Sequence, residues 1–539
     1  MQMRHGQFLA MTNEAIESAH SSGGNGAAAD MGDYTLFFGT AGGRWPGLGD
    51  DTTAVLRSLS KSMEDRLSAR NGDNPTIAAG YTYLGQFVVH DITHTSVAPR
   101  LNGASGGTEN MSTPTLDLDS VYGGGPERDF ALYEPTQRNE YRYLLRTGVT
   151  REPVLGCDHF NEPGLPLDVA RLSGPLAGIH GAQDNVSADP LIADPRNDDH
   201  LILSQLHLEF ILLHNRVAER LVANGHSGRK AYDDARRYVT GCFRDVVRND
   251  LAKKLLTDAV YQDLLRDEPQ FLKAPAGSLL DRDKTRVPLE FSMAVGRFGH
   301  SMIRSTYELN RCIKRTSEKS LETVLQFSGF SDQSILNNRR RLPVPSDWIV
   351  EWPRFFDMGV DPDELIPSRR INPFISFIIS NWKPRLDTER DDAIGYLDLL
   401  RSSQCLLPSG QQLARQINLH ADGVFEVPVL GRDDFDMEAI EHGQTQELND
   451  KIKSVFDSNP TLFDETPLLF YVLWEAAVQC DGEKLGPVGS FILGFTLSRA
   501  LPRQSGIGGD TTLDAPKFLS LRHRNDDDLL SDVMQALGS

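Results

Sequence analysis

Gly85-Gln86-Phe87-Val88-Val89-His90-Asp91 is the stretch that decides how the 539-residue chain is read. Gln86 and His90 stand four residues apart, so on an α-helix the amide and the imidazole lie one above the other and face the same small ligand. Asp91 follows about 100° further round and is aimed at something else. The apolar residues around them predict a helix over 80–94. By itself the turn also suits a structural histidine satisfied beside an aspartate, so the remaining chain has to arbitrate.

Composition narrows the classes of partner. A formal charge of -20 argues against nucleic acid and anionic membranes, because phosphate binding needs a concentrated basic surface. No run approaches the ~18 apolar residues of a membrane span; Val488 to Leu497 comes nearest and reads as a buried helix, so no transmembrane segment is expected. The first residues lack the apolar core of a secretory signal, which makes a cytoplasmic product the default and leaves non-classical export open. Cys157, Cys242, Cys312, Cys405 and Cys480 are scattered, odd in number and without metal-ligand spacing. They are read as reduced and mostly buried, with neither a disulfide frame nor a zinc site.

Along the chain, residues 1–34 hold a Gly/Ala/Ser-rich stretch that reads as a flexible arm. From His200 to Asn224, Ile202, Leu206, Phe210, Leu213 and Val217 recur at steps of three and four, predicting a long amphipathic helix, and 230–256 continues helical. Another helix is expected from Pro288 through Ile303, with more at 388–405, 445–456, 467–480 and 486–500. Phe374 to Ile379 is the best strand candidate. The tail, 503–539, looks loosely attached. These patterns predict a mainly α protein with one large core and little β. In Thr113-Pro114-Thr115-Leu116-Asp117-Leu118-Asp119 an oxygen-bearing side chain falls at every second residue, which suits either a hard cation or a metal-free Asx-rich turn.

Three segments, GQFxxHD, TxTxDxDxVYG and RFGHSM, occur in that order, joined by a fourth, Ala193-Asp194-Pro195-Arg196-Asn197-Asp198-Asp199. Together they resemble the animal-type haem peroxidases, the myeloperoxidase and cyclooxygenase superfamily, over roughly 35–500, including Leu485-Gly486-Pro487-Val488-Gly489 near the end. The resemblance implies one helical domain, 35–502, with haem b between a distal and a proximal helix. It makes His90 the distal acid-base group, with Gln86 its companion and Arg196 the distal arginine; the competing reading of Arg196 is an ion pair with Asp194 or Asp198. His300 becomes the proximal iron ligand, beside Gly296 and Gly299, which would permit close packing on the macrocycle. Arg297 and Arg401 become propionate partners. Asp398 stands where the family has Asn as partner of the proximal Nδ1, a change that implies a low ferric/ferrous potential; the competing reading is a helix-surface pair with Arg401. The Thr113, Thr115, Asp117, Asp119 loop becomes a calcium loop completed by Asp91. Of the family's covalent haem links, only one ester, through Asp199, has a residue to form it, since Val89 and His200 occupy the other positions; halide oxidation is accordingly in doubt.

The function so implied is a peroxidase (EC 1.11.1.-) that reduces hydrogen peroxide through a ferryl intermediate and oxidises a small organic or anionic donor. Two other readings stay open. One is a haem-dependent oxygenase or oxidase of a lipid or secondary metabolite, although Arg297 stands where the lipid dioxygenases of the superfamily carry their radical tyrosine. The other is a non-catalytic, calcium-stabilised binding or adhesion protein. The sequence gives no oligomeric state.

Overall fold

The computed structural model describes residues 30–31, 33–39, 43–49, 51–65, 72–97, 108–135, 141–156, 164–172, 190–315, 321–325, 342–381, 394–435, 446–502 and 513–537. The expected N-terminal arm lies, up to residue 29, outside them. The helices that frame the core and the site are α1 (Thr52–Ser62), α2 (Gly80–Ile92), α3 (Leu201–Ala223), α4 (Gly228–Val246), α5 (Leu289–Met293), α6 (Ile394–Gln404), α7 (Gly410–Ala421), α8 (Gln446–Ser458), α9 (Leu468–Cys480), α10 (Pro487–Ala500), α11 (Ala515–Leu521) and α12 (Asp526–Leu537). Strands among the described residues are short and mostly paired two by two, as in Asp73–Ala78 antiparallel to Pro367–Arg369. The mainly α architecture expected from sequence is what the chain adopts.

The centre of the molecule is set by helices with apolar residues on every face. In α9 the run Leu468 to Ala477 is buried throughout, and α10 is buried at nearly all positions from Val488 to Leu497. A helix apolar all round has no water-facing side and must be packed on all sides, so these two become the scaffold against which the others lie. No helix among the described residues is long and apolar enough to cross a membrane. The long α3 runs from its cap at His200, whose Nδ1 accepts from Leu203 N at 3.2 Å. It packs on α4 and α2, with Phe87 of α2 stacked on Phe210 of α3 at 4.6 Å between ring centroids.

The structure departs from the sequence expectations in four places. The helix expected from Pro288 to Ile303 is broken at Ala294 (φ -135°, ψ -71°): α5 ends at Met293 and Val295–Met302 is a 3₁₀ segment. Gly296 and Gly299 each cost an α-helix about 1 kcal/mol, so the tighter winding competes well here. The strand expected over Phe374 to Ile379 shrinks to Ile375–Ser376, and Phe377–Ser380 turns helical. The described part of the C-terminal tail is not loose. Phe518 of α11 packs on Phe210 at 4.8 Å, Ala515 N donates to Asp250 at 2.9 Å, and Arg216 of α3 pairs with Asp526 of α12 at 3.0 Å. Phe518 and Leu519 supply apolar area that α3 and α4 would otherwise expose. Finally, Cys312 is disulfide-bonded, whereas Cys242, Cys405 and Cys480 are free thiols, so the reading of all five as reduced is corrected.

Candidate active site

The site is assembled from four separated stretches: α2, the 190–200 loop leading into α3, the 3₁₀ segment after α5, and α6. Its first half centres on His90, which is 3% exposed near the end of α2. Its Nδ1 lies 2.9 Å from Asn197 Oδ1, and Asn197 Nδ2 lies 3.0 Å from Nδ1 of His207 on α3. The amide oxygen only accepts, so His90 Nδ1 carries the proton and Nε2 carries the lone pair. Burial, reinforced by the nearby Arg196 guanidinium, pushes the His90 pKa down to about 3 and keeps the ring neutral. Asn197 and His207 were missed by the sequence reading. Their signal, an amide one residue after the expected distal arginine and a histidine on the inner face of α3, carries no meaning until the two helices are placed.

Gln86 sits one turn before His90. Its Oε1 lies 3.0 Å from His200 Nε2. Arg196 holds Asp194 through Nε (3.0 Å) and Nη2 (2.5 Å), and Nη2 also donates to the backbone oxygen of His90 at 3.0 Å. Burial opposes the charge of Arg196, but Asp194 outweighs it, and the guanidinium stays protonated. Arg196 is therefore ion-paired with Asp194 and at the same time anchored to the residue that carries the imidazole. Asp198, the other candidate partner, is instead bound by Arg171 at 2.8 Å, which ties down the loop from behind. The Asp199 carboxyl is pushed up to about 8 by burial, with Asp194 and Asp198 adding to the effect against Arg196, so it is protonated at neutral pH.

The second half centres on His300. Its Nδ1 lies 2.6 Å from Asp398 Oδ2, so Nε2 is left with its lone pair free for a metal. Asp398 comes from α6, is 1% exposed, and also binds Arg401 in a very short contact, with Arg297 Nη1 at 3.9 Å. In a 3₁₀ helix residues three apart eclipse each other, which is why Arg297 and His300 both reach one carboxylate. Burial opposes the charge on Asp398, yet His300 and Arg401 hold its carboxyl well below the ordinary range. Asp398 thus contacts His300 and its helix neighbour Arg401 together. Because Arg401 and Arg297 share its charge, its pull on the imidazole is weaker than that of an isolated carboxylate. Arg401 is placed on Asp398 with its Nε buried and without a partner.

Whether these residues suit a haem is answered by what they lack. Arg297 is buried with Nε unpartnered, and its pKa is pushed down to about 9, first by burial and then by Arg401, with Arg196 of the other half contributing. Arg297, whose Nη1 is 3.9 Å from Asp398, thus keeps a buried Nε without a hydrogen bond, which a carboxylate-bearing cofactor would supply. A Cβ built on Gly299 meets nothing within 4 Å, so open space lies beside His300. At Gly296 the Cβ would come within 3.0 Å of Phe291 O, so this glycine also lets the chain turn back closely on α5.

Beside the first half, carboxylate oxygens of Asp91, Asp117 and Asp119 lie within 4.8 Å of one another. Asp91 accepts from Ser120 Oγ at 2.8 Å and Leu118 N at 3.1 Å. Asp119 accepts from Thr113 N at 2.7 Å, Thr113 Oγ1 donates to Asp117 at 2.9 Å, and Thr115 Oγ1 lies 3.2 Å from Thr113 Oγ1. Asp119 Oδ1 is buried with no partner. Burial and the neighbouring aspartate raise Asp91 well above its ordinary value, and burial raises Asp119 to about 6. A cation would remove that mutual repulsion.

Fold and site together define a predominantly helical protein with paired histidine-centred halves and an acidic loop. The family model for animal haem peroxidase matches residues 100–342. That window includes the acidic loop, Arg196 and His300 but stops short of Gln86, His90 and Asp398. A human protein described as probable oxidoreductase PXDNL is 28% identical over 215 residues, which are 39% of this chain and 13% of that protein. A Caenorhabditis elegans peroxidasin homolog, pxn-2, is 24% identical over 215 residues, 39% of this chain and 15% of its own length. The chain therefore matches only a small part of either relative. Among solved structures, peroxidase A of Dictyostelium discoideum aligns with a TM-score of 0.55 at 13% identity, covering 94% of this chain and 93% of that one. A fatty acid alpha-dioxygenase of Oryza sativa aligns with a TM-score of 0.53 at 13% identity, covering 99% and 92%. These two show a shared fold. Over residues 100–342 the chain is thus similar in sequence to the animal haem peroxidases, and over nearly its whole length it shares the fold of the two solved structures.

Proposed function

We propose that the protein is a haem b peroxidase that reduces hydrogen peroxide at the expense of a small organic or anionic donor. The observation that carries the reading is the pairing of a neutral His90, its Nδ1 held by Asn197, with a His300 whose Nε2 is left free by Asp398. Haem, when bound, supplies the redox chemistry and takes up the two oxidising equivalents of the peroxide bond. His300 Nε2 would ligate its iron, and Arg297 would hold a propionate. The chain's own work is then proton movement and positioning. His90 Nε2 takes a proton from one peroxide oxygen and returns it to the other, which leaves as water. Arg196 stabilises negative charge developing on that departing oxygen through Nη1, the guanidinium nitrogen not engaged by Asp194 or the His90 carbonyl. Asp398 keeps the His300 ring oriented and its Nδ1 proton in place.

Calcium in the Asp91, Asp117, Asp119 site, with Thr113 and Thr115 beside it, would hold the register of α2 and so the position of His90. An ester between Asp199 and a haem methyl is supported by a carboxyl that is protonated at neutral pH. The oxygenase reading is the less supported, because Arg297, three residues before His300, is engaged with Asp398 and offers no phenol to oxidise. Intact His90, Gln86, Arg196 and His300 speak against a non-catalytic protein. The disulfide at Cys312 fits an oxidising compartment better than the cytoplasm expected from sequence.

The test is a spectrum of haem-reconstituted protein before and after one equivalent of hydrogen peroxide, in wild type and His90→Ala. A ferric Soret band that changes quickly in wild type and slowly in the variant supports the reading. Equal rates would remove the role of His90, and failure to bind haem would sink the proposal.

A further inference from the structure

His200 has no part in the proton transfer described above, yet it is buried beside it, with two hydrogen bonds that determine each other. Leu203 N donates to its Nδ1 at 3.2 Å, capping α3. That nitrogen therefore holds the lone pair, and in a neutral ring the proton must sit on Nε2. Nε2 lies 3.0 Å from the Gln86 side chain, and an N–H can only be met there by the amide oxygen. The Tyr83 ring, on the same helix as Gln86, packs edge-on against the imidazole at 4.9 Å and holds it in place. Burial and His90 push the His200 pKa down to about 3, so the ring does not protonate near neutrality.

We propose that His200 is a positioning residue that locks the Gln86 amide with its oxygen turned away and its NH₂ presented to the ligand. The helix cap thereby sets the hydrogen-bonding sense of the pocket. Gln86 then offers a donor one helical turn from the lone pair of His90 Nε2. The ligand class so favoured is a small anion or peroxide that accepts two hydrogen bonds and has at most one proton to give. A freely rotating glutamine would serve donor and acceptor ligands alike. The inference rests on the proposed function only for the identity of the ligand.

Two measurements test it. In haem-free protein labelled with ¹⁵N at histidine, the His200 signals, identified by their loss in His200→Asn, are expected to show the Nε2–H tautomer from pH 5.5 to 8. An Nδ1–H pattern or titration in that range would overturn the lock. In haem-loaded protein the probe is fluoride, which only accepts hydrogen bonds. His200→Asn keeps a preferred helix-capping side chain but is too short to reach Gln86. It is expected to weaken fluoride binding about tenfold, with haem binding and melting temperature retained, and to add nothing in a Gln86→Leu background. Unchanged fluoride affinity, or full additivity with Gln86→Leu, would refute the proposal. If wild type binds no haem, the peroxidase reading fails separately and the tautomer measurement alone decides the orientation of the amide.

Discussion

Replacing Asp398 by Asn separates geometry from charge in the second half of the site. Asparagine keeps an oxygen for the His300 Nδ1 proton, now 2.6 Å from the carboxylate, and nearly the same volume. It removes the negative charge that Arg401 and, at 3.9 Å, Arg297 share. Both guanidiniums are buried, each with Nε already unpartnered, so neither recovers its hydration by a small movement. Breaking a buried pair in this way costs about 3–5 kcal/mol. For a chain of 539 residues, an unfolding entropy of about 2.1 cal/mol/K per residue gives about 1.1 kcal/mol/K, so the melting temperature of the haem-free protein should fall by about 3–4 °C. The sign with pH follows from the lowered carboxyl: its contribution is present at neutral pH and lost as pH falls below the ordinary aspartate value near 3.9. The deficit of the variant should accordingly shrink in acid. Adding Arg401→Met removes a stranded cation and should restore part of the loss. The assay is thermal unfolding followed by far-ultraviolet circular dichroism at pH 7 and below pH 4. An Asp398→Asn protein that melts within about 1 °C of wild type, or a double variant no better than the single, would refute the charge-sharing account.

Three other outcomes are expected. Gly299→Val places a side chain in open space and should leave the haem-free melting temperature unchanged while abolishing haem uptake; normal uptake, followed by Soret titration, would move the cofactor away from that face. Calcium at about a hundred times its dissociation constant should stabilise the protein by about 2.7 kcal/mol and Asp91→Asn should abolish the effect; a melt insensitive to calcium over magnesium contradicts the site. With the His90 pKa near 3, the rate of reaction with peroxide should stay flat from pH 5 to 8 and decline only in stronger acid. Asn197→Ala should slow it about 10–100-fold by releasing the Nδ1 proton's partner, and a stopped-flow rate that titrates near 6.5 would show that His90 is not held neutral.

Helical periodicity reports which face of a segment is apolar, so α3 is readable locally, α9 and α10 are legible instead as unbroken apolar runs, and the spacing of Gln86 and His90 puts both on one face before any neighbour is known. The resemblance supplied the roles of His90, Arg196 and His300. The break at Ala294 was hidden because 3₁₀ and α windings share a sequence pattern over two turns, and glycine weakens both.

What the chain itself determined is the inventory: mainly α structure, an acidic composition, two histidines in helical context and a loop of alternating oxygens. What only the tertiary structure decided is who holds whom. Asn197 meets His90 and His207 across 107 and 10 residues, His200 meets Gln86 across 114, and Asp398 meets His300 across 98. Such contacts leave no periodic trace, since a hydrogen bond depends on where two backbones end up and not on the spacing within either. Tautomer, protonation and amide orientation follow from those contacts, and with them the chemistry that the same residues perform.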